Sequence, residues 1–305
     1  MSGGDRPDPA RFVFLVGTGR CGSSLVQEVL SRHPDIGFVS NLEDRLGLGP
    51  AAGRWNGVLY RRVPQWFTVK GRLRYAPSEG YRLLEREVSP LVSTPFRDLQ
   101  ANDATPWLAG RFRSFFGERA RAQGKPVFLH KFTGWPRVSF IDRILPEARF
   151  VHVVRDGRAV ASSLVQMPWW QGYRGPAEWG WGPLSDADER AWHASGRSFA
   201  VLAGLEWKLL MDAFERAKRA VPDDRWHEVR YEDFVADPQG RVKELLSFMA
   251  VEWTEGFDRG FRRYTFRADR TDAYLRDLAP ADVVALERSL GRHLARLGYP
   301  SGSVR

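Results

Sequence analysis

A glycine-rich stretch near the amino terminus, RFVFLVGTGRCGSSLVQEVL (11–30), most constrains what this 305-residue chain can fold into. Its apolar residues 12–16 predict a buried strand, and apolar residues at helical spacing predict a helix over 23–32. The glycines between them predict a tight turn from strand to helix. This order is typical of an α/β fold, in which such a helix packs one face on a sheet.

The turn itself has the spacing of a phosphate-binding loop, because Gly17 and Gly22 form a G-x-x-x-x-G pattern. A Walker A loop would continue with Lys and then Ser or Thr, whereas this chain has Ser23 and Ser24. Backbone N–H groups of such a loop, together with the positive end of the helix, can bind an anion. The same residues also suit a plain serine-capped turn. The candidate anion-binding residues are Gly17, Thr18, Gly19, Arg20, Cys21, Gly22, Ser23 and Ser24.

The rest of the chain alternates strands with helices, which implies parallel pairing and right-handed crossovers. We expect one domain over 1–305, a three-layer P-loop-like α/β fold with a central parallel sheet flanked by helices. Two irregular insertions, about 45–125 and 167–195, are expected to form the acceptor side. Further strands are predicted at 36–39, 126–131, 149–154 and 226–231. Further helices are predicted at 79–88, 107–122 and 136–145, from 157, and at 192–219, 239–249 and 280–297.

Composition narrows the function classes. Forty-six Lys and Arg residues against 37 Asp and Glu give a net charge of +9, which favours anionic ligands without selecting one. The sequence has no continuous basic stripe with interleaved aromatic residues, so its charge does not favour nucleic-acid binding. The single cysteine, Cys21, excludes an internal disulfide, and the cysteine-phosphatase spacing fails because an arginine would be needed where Gln27 stands. Without a visible signal peptide or an apolar run of about 20 residues, we expect a cytoplasmic protein with no membrane span.

A second motif, RFVHVVRDGRAVASSL (149–164), places Arg155 at the carboxyl end of a predicted parallel strand, where α/β sheets bind ligands. Ser163 follows eight residues later, about two turns into the next helix. An arginine and a serine so placed could hold one phosphate from two sides. The alternative is a surface ion pair between Asp156 and Arg158, with Ser163 as a helix residue of no special role.

Taken together, the two motifs resemble those of sulfotransferases that use 3′-phosphoadenosine 5′-phosphosulfate (PAPS). In that family the loop after the first strand binds the 5′-phosphosulfate, and an Arg and a Ser eight residues apart bind the 3′-phosphate. The motif VRDGRA is most similar to the tyrosylprotein sulfotransferase branch. Three further segments resemble sequences of the same family: HPDIGFVSNLED, VRYEDFVADP and LARLGYP. The resemblance covers about 12–46, 126–166 and 226–300.

The resemblance implies roles for further residues. Lys131, in FLHKFTGWP, corresponds to the family lysine that reaches the bridging oxygen of the phosphosulfate. Some members carry a catalytic His two residues later, where this chain has Thr133, and the tyrosylprotein branch uses a Glu after HPD. We predict Glu43 as the base, with Asp44 and His130 as alternatives. A late loop, FRADRTDAY (266–274), is expected to bring Arg267 or Arg270 to the 3′-phosphate.

The predicted function is therefore sulfuryl transfer from PAPS to a hydroxyl of a small-molecule, carbohydrate, lipid or peptide acceptor, leaving 3′,5′-ADP and using no metal. Arg20 and Lys131 would stabilise the transferring group. Two alternatives come from other classes. One is a metal-dependent kinase or NTPase with a degenerate loop, and the other is a nucleotide-binding module without catalysis. The oligomeric state cannot be inferred from the sequence.

Overall fold

Five parallel strands form the central sheet of the protein, whose computed structural model describes residues 11–63 and 74–300. Across the sheet the strands lie in the order β2-β3-β1-β4-β5, and each hydrogen-bonded pair is parallel. Their bounds are β1 (Arg11–Gly17), β2 (Ile36–Gly37), β3 (Val127–Thr133), β4 (Arg149–Val154) and β5 (Trp226–Arg230). The central strand β1 is apolar and buried from Val13 to Val16, as expected of a strand covered on both faces.

Helices follow most strands and cover both faces of the sheet. The α-helices up to β4 are α1 (Ser23–Leu30), α2 (Asn41–Leu46), α3 (Asn56–Arg62), α4 (Tyr81–Glu87), α5 (Pro90–Ser93), α6 (Pro106–Gln123) and α7 (Val138–Ile144). Those after β4 are α8 (Gly157–Val165), α9 (Asp186–Ala194), α10 (Phe199–Arg219), α11 (Tyr231–Ala236), α12 (Pro238–Phe248), α13 (Glu255–Phe261), α14 (Tyr274–Asp277) and α15 (Pro280–Arg296). Short 3₁₀ turns span Pro50–Trp55, Ala101–Asp103, Gln171–Arg174 and Asp223–Arg225.

Strand alternation divides the core into two layers. Phe14, Phe128 and Phe150 point to one face, where they pack with residues of α6, α7, α8 and α10. Leu15 and Leu129 point to the other face, where they pack with residues of α1, α11 and α12. Because successive side chains of a strand point to opposite faces, a strand rich in apolar residues serves both layers. The predicted three-layer α/β fold with a central parallel sheet is confirmed.

One predicted helix is wrong. Residues 192–219 do not form the one continuous helix that their spacing predicts, because α9 ends at Ala194 and α10 begins at Phe199. Gly196 and Arg197 have left-handed φ angles of 68° and 60°, which interrupt the helix, and the Ser198 side chain caps α10 by accepting from the Val201 N–H. Strand β2 is also shorter than predicted, since it covers 36–37 rather than 36–39.

Within residues 11–63 and 74–300, no helix combines the length and apolar character that a bilayer crossing demands. The cytoplasmic location and the single-domain organisation stay predictions.

Candidate active site

The glycine-rich loop lies at the carboxyl edge of the sheet, directly after its central strand. Gly19, Arg20 and Gly22 have positive φ angles of 78°, 52° and 94°, which curl the backbone. Gly22 is the N-cap of α1 and supplies no side-chain cap, so the first N–H groups of that helix have no side-chain partner there. Gly22, Ser23 and Ser24 line a cavity at this edge. This arrangement suits an anion.

The loop meets α8 through one side-chain bond. Nε of Arg20 donates to Oγ of Ser163 at 2.8 Å, although the two residues lie 143 positions apart in the chain. Strand β4 neighbours β1 in the sheet, so the segment that follows β4 begins next to the loop that follows β1. The two motifs found in the sequence therefore converge on one place.

Arg155 lies beside the same loop, immediately after β4. Its Nη1 donates to the carbonyl of Arg20 at 3.0 Å, and its Nη2 donates to the carbonyl of Arg270 at 2.7 Å. The guanidinium lies over the ring of Tyr231, 4.4 Å from its centre, while its Nε is buried without a hydrogen-bond partner. Arg155 thus has donor capacity to spare at the edge of the cavity.

Positive charge accumulates around Arg20. Burial lowers the pKa of Arg20, and the cations of Arg155 and Arg270 lower it further. Like charges held this close favour a ligand that carries negative charge. Arg270 is exposed and provides its backbone carbonyl to Arg155, whereas Arg267 is exposed and does not line the cavity.

Lys131 stands at the end of β3, on the other side of the loop from Arg155. Its side chain is buried, with Nζ 2.7 Å from Oγ of Ser24 and 3.2 Å from Oε1 of Glu79. Strand β3 pairs with β1 on the side opposite β4, so Lys131 and Arg155 flank the loop from opposite sides. The cation is held by contacts to α1 and to the segment before α4.

Glu79 is a site residue that the sequence analysis missed. Its Oε1 also accepts a hydrogen bond from Oγ1 of Thr133 at 3.1 Å. The nearby Tyr81 hydroxyl accepts from the Thr133 N–H at 3.1 Å, which joins this segment to the end of β3. Glu79 is the only acid among the described residues that line the cavity. Its sole sequence signal was its position at the start of a predicted helix in an insertion without motifs.

These groups surround a cavity of about 500 Å³. Its lining residues are Gly19, Arg20, Gly22, Ser23, Ser24, Glu79, Tyr81, Lys131, Thr133, Arg155 and Trp169. A second cavity of about 430 Å³ adjoins it, because Gly19, Tyr81, Thr133 and Trp169 line both. We call the first the donor cavity and the second the tryptophan cavity.

Five indoles line the tryptophan cavity, which draws on both predicted insertions. They are Trp135, Trp169, Trp170, Trp179 and Trp181. Beneath them lies the buried Glu206 of α10, whose Oε2 accepts from Nε1 of Trp170 at 2.8 Å and whose carboxyl also bonds the Trp181 side chain. Burial raises the pKa of Glu206 to about 8.

The acids and the histidine predicted as base do not line either cavity. Glu43 is buried in the capping box of α2, where it accepts from the N–H and hydroxyl of Ser40 and from the Asn56 side chain. Asp44 accepts from the Leu83 N–H, on the way to α4.

His130 is buried among phenylalanines on the opposite face of β3 from Lys131, and burial lowers its pKa to about 3. Strand alternation and helix capping thus direct all three groups away from the cavities, which disfavours each of them as the base.

The remaining polar residues of the two motifs have structural contacts. Asp156 caps α8 and pairs with Arg158, which also pairs with Glu287 of α15. Asp156 and Arg158 thus form the ion pair of the alternative interpretation, but the pair is buried rather than on the surface, and Ser163 bonds Arg20. The Cys21 side chain is fully buried and lines neither cavity, so only its backbone belongs to the loop.

Comparison with known proteins identifies the class. A model of the sulfotransferase family matches residues 12–255, so the chain belongs to the sulfotransferase family. The resemblance noted in the sequence is confirmed. The match includes β1 to β5, the loop, Lys131 and the segment from Arg155 to Ser163.

Individual relatives are distant. The chain is 23% identical over 183 residues to "Omega-hydroxy-beta-dihydromenaquinone-9 sulfotransferase Stf3" of Mycobacterium tuberculosis, covering 57% of this chain and 42% of the relative. It is 21% identical over 308 residues to "Protein-tyrosine sulfotransferase A" of Caenorhabditis elegans, covering 94% of this chain and 67% of the relative. The chain therefore spans about two fifths of the length of the mycobacterial relative.

Two solved structures share the fold. The sulfotransferase domain of the Synechococcus PCC 7002 olefin synthase matches with a TM-score of 0.51 at 17% identity, covering 97% of each chain. Sulfotransferase STF9 of Mycobacterium avium matches with a TM-score of 0.58 at 14% identity, covering 96% of this chain and 78% of that one.

Proposed function

We propose that the protein transfers a sulfuryl group from PAPS to the hydroxyl of a small acceptor. The observation that carries this proposal is the convergence of three strand ends on the donor cavity. The ends of β1 and β3 supply the loop, Ser24 and Lys131, while the end of β4 supplies Arg155. A nucleotide with phosphate groups at two separated positions matches two separated sets of donors.

The residues present fit such a ligand. The first N–H groups of α1 lack a side-chain cap, Nε of Arg155 lacks a partner, and cations crowd Arg20. An anion bound there would accept hydrogen bonds from these N–H groups and offset the positive charge. We assign the loop, Ser24 and Lys131 to the 5′-phosphosulfate, and Arg155 with Ser163 to the 3′-phosphate. Arg270 contributes its backbone contact to Arg155, and Arg267 receives no role.

In the proposed reaction the acceptor oxygen forms a bond to sulfur while the bond from sulfur to the phosphate oxygen breaks, and 3′,5′-ADP leaves. Lys131 and Arg20 offset the negative charge that develops on the leaving phosphate. Glu79 takes the proton of the acceptor hydroxyl at a carboxylate oxygen. This role is supported by its position in the lining of the donor cavity and by its contact with Thr133, which lines both cavities. Metal independence stays a prediction.

Incubation of the purified protein with PAPS and a panel of alcohols, phenols and sugars tests the proposal. Mass spectrometry should show an acceptor that has gained a sulfonate, together with 3′,5′-ADP. Lys131→Met should remove most of this transfer while 3′,5′-ADP still binds, because the lysine acts on the developing charge. ATP turnover abolished by EDTA, without a response to PAPS, would support a metal-dependent NTPase instead. Tight 3′,5′-ADP binding with no transfer to any acceptor would support a binding module.

A further inference from the structure

The tryptophan cavity offers an acceptor aromatic surface and few charged groups. Of the described residues that line it, Arg137 and Glu206 are the only ones with charged side chains. The others are indoles, one leucine, small residues and residues with hydroxyl or amide groups. A cavity of about 430 Å³ is in the range of small-molecule sites, which are lined mainly by apolar and aromatic side chains with few polar groups.

Neither charged side chain is available to an acceptor. Arg137 is buried and donates to three backbone carbonyls: Nε to Val92 at 2.7 Å, Nη2 to Ser93 at 2.9 Å, and Nη1 to Trp135 at 2.5 Å. A guanidinium that is already satisfied by carbonyls gains little from an anionic ligand.

The Glu206 carboxyl is likewise already hydrogen-bonded within the protein. It is 1% exposed, and both Trp170 and Trp181 bond its carboxyl. A pKa raised by burial to about 8 keeps this carboxyl protonated at neutral pH, so it adds no net charge that would attract a cation. Its contacts join the segment of the second insertion to α10, which makes Glu206 a positioning residue for two walls of the cavity.

We infer that the acceptor is a small uncharged alcohol or phenol whose apolar body lies against the indoles of the tryptophan cavity, with its hydroxyl directed to Glu79. This inference rests on the proposed function and specifies its acceptor. It sets the acceptor apart from acidic peptides, anionic sugars and cationic amino alcohols, because an ion would lose its hydration without gaining a partner.

Three phenols of nearly equal shape test the inference: tyrosol, which is uncharged, 4-hydroxyphenylacetate, an anion, and tyramine, a cation. Calorimetry first establishes that 3′,5′-ADP binds, and each phenol is then titrated into that complex and assayed with PAPS. Tyrosol should bind and react with a kcat/KM about 10-fold or more above either ion. Equal or better use of an ion overturns the inference, as does binding of 3′,5′-ADP without binding of tyrosol. Failure to bind 3′,5′-ADP overturns the proposed function itself.

Two variants test the cavity directly. Trp181→Ala should raise the KM for tyrosol about 10-fold, because one aromatic wall is lost, and should leave the affinity for 3′,5′-ADP unchanged. Trp107→Ala is the matched control, since Trp107 is 61% exposed and lines neither cavity. An unchanged KM in a folded Trp181→Ala protein overturns the inference.

Thr94→Lys keeps the test decisive if Trp181→Ala fails to fold, because Thr94 is an exposed residue that lines the cavity. The added cation should shift the ratio of kcat/KM values toward 4-hydroxyphenylacetate by roughly 2- to 5-fold. An unchanged ratio would place the acceptor outside this cavity.

Discussion

The guanidinium of Arg20 and the hydroxyl of Ser163 share a hydrogen bond of 2.8 Å, which joins the loop after β1 to the second turn of α8. Neither strand end could build this site alone. The segment after β1 supplies a loop that is rich in N–H donors. The segment after β4 supplies Arg155, which lines the donor cavity, and Ser163, which bonds Arg20. The proposed roles of these groups lead to distinct outcomes for separate substitutions.

Arg155→Ala and Ser163→Ala should each weaken binding of 3′,5′-ADP more than binding of 5′-AMP, because only the first ligand carries a 3′-phosphate. We expect about 30-fold for Arg155→Ala, since a charge-assisted hydrogen bond contributes about 2 kcal/mol. Isothermal titration calorimetry measures both affinities. Arg262→Ala is the control, because Arg262 pairs with Asp258 on the exposed surface of α13. Equal losses for the two nucleotides would contradict the 3′-phosphate assignment.

Glu79→Gln should lower kcat by about 100-fold or more while the affinity for PAPS stays nearly constant, because removal of a general base affects the chemical step. Glu43→Gln provides the comparison. It should lower thermal stability, since it disturbs the capping box of α2, and it should leave kcat close to wild type. Steady-state kinetics and thermal unfolding distinguish the two. If Glu43→Gln lost activity and Glu79→Gln kept it, the base would be Glu43 after all.

Gly22→Ala should destabilise the protein by about 3 kcal/mol. Gly22 has a φ of 94°, and a Cβ atom there would collide with the ring of Tyr231. Gly19→Ala should lower the free energy of unfolding by only about 1 kcal/mol, because Gly19 also has a positive φ but faces open space. Urea denaturation of both variants measures the free energies of unfolding. Similar costs would show that the contact with Tyr231 does not restrict this position.

His130→Phe should reduce the loss of stability at acidic pH. The folded-state pKa of about 3 lies below the ordinary 6.5, so the stability that His130 contributes is present above pH 6.5 and is lost as pH falls toward 3. The wild-type loss from this group is about 3 kcal/mol between pH 7 and pH 4. Denaturant titrations at several pH values measure the difference. Activity at neutral pH should persist, and its disappearance would restore His130 as a candidate base.

Glu206→Gln should reduce the loss of stability at alkaline pH. The folded-state pKa of about 8 lies above the ordinary 4.5, so the contribution of Glu206 is fully present below pH 4.5 and is lost as pH rises through 8. Between pH 6 and pH 8 the wild type should lose about 2 kcal/mol that the variant keeps. Thermal melts across this range give the comparison. Identical pH dependence in both proteins would mean that Glu206 is ionised when folded.

The parts of the site that the sequence predicted are those built from local pattern. The loop from Gly17 to Ser24 and Arg155 lie directly after predicted strands, and apolar spacing fixes which residues reach the carboxyl edge there. Lys131, inside β3, and Ser163, in the second turn of α8, were assigned by their match to the family motifs. Parallel pairing then brings those strand ends together. Spacing also placed His130 in a strand, but alternation along β3 sends it to the face opposite Lys131.

The parts that the sequence did not predict depend on contacts between distant segments. Glu79 reaches Lys131 because Tyr81 and Thr133 join the segment before α4 to β3 across 52 positions. Nothing in the residues around Glu79 encodes that pairing. Glu43 was preferred as an acid after HPD although straight counting falls nearest to Asn41, and the capping box with Ser40 turns its carboxylate into a helix contact.

The strand order β2-β3-β1-β4-β5 has an evolutionary consequence. Neighbouring strands lie about 4.8 Å apart, so the ends of β3 and β4 are separated by about 10 Å across β1, a span fixed by backbone hydrogen bonds rather than by side chains. Mutation in the Trp-rich segment before α9, or in that before α6, leaves this span untouched. Under the proposed function, substitutions in these two segments could therefore change which acceptor fits while the separation of the groups assigned to the donor stays the same.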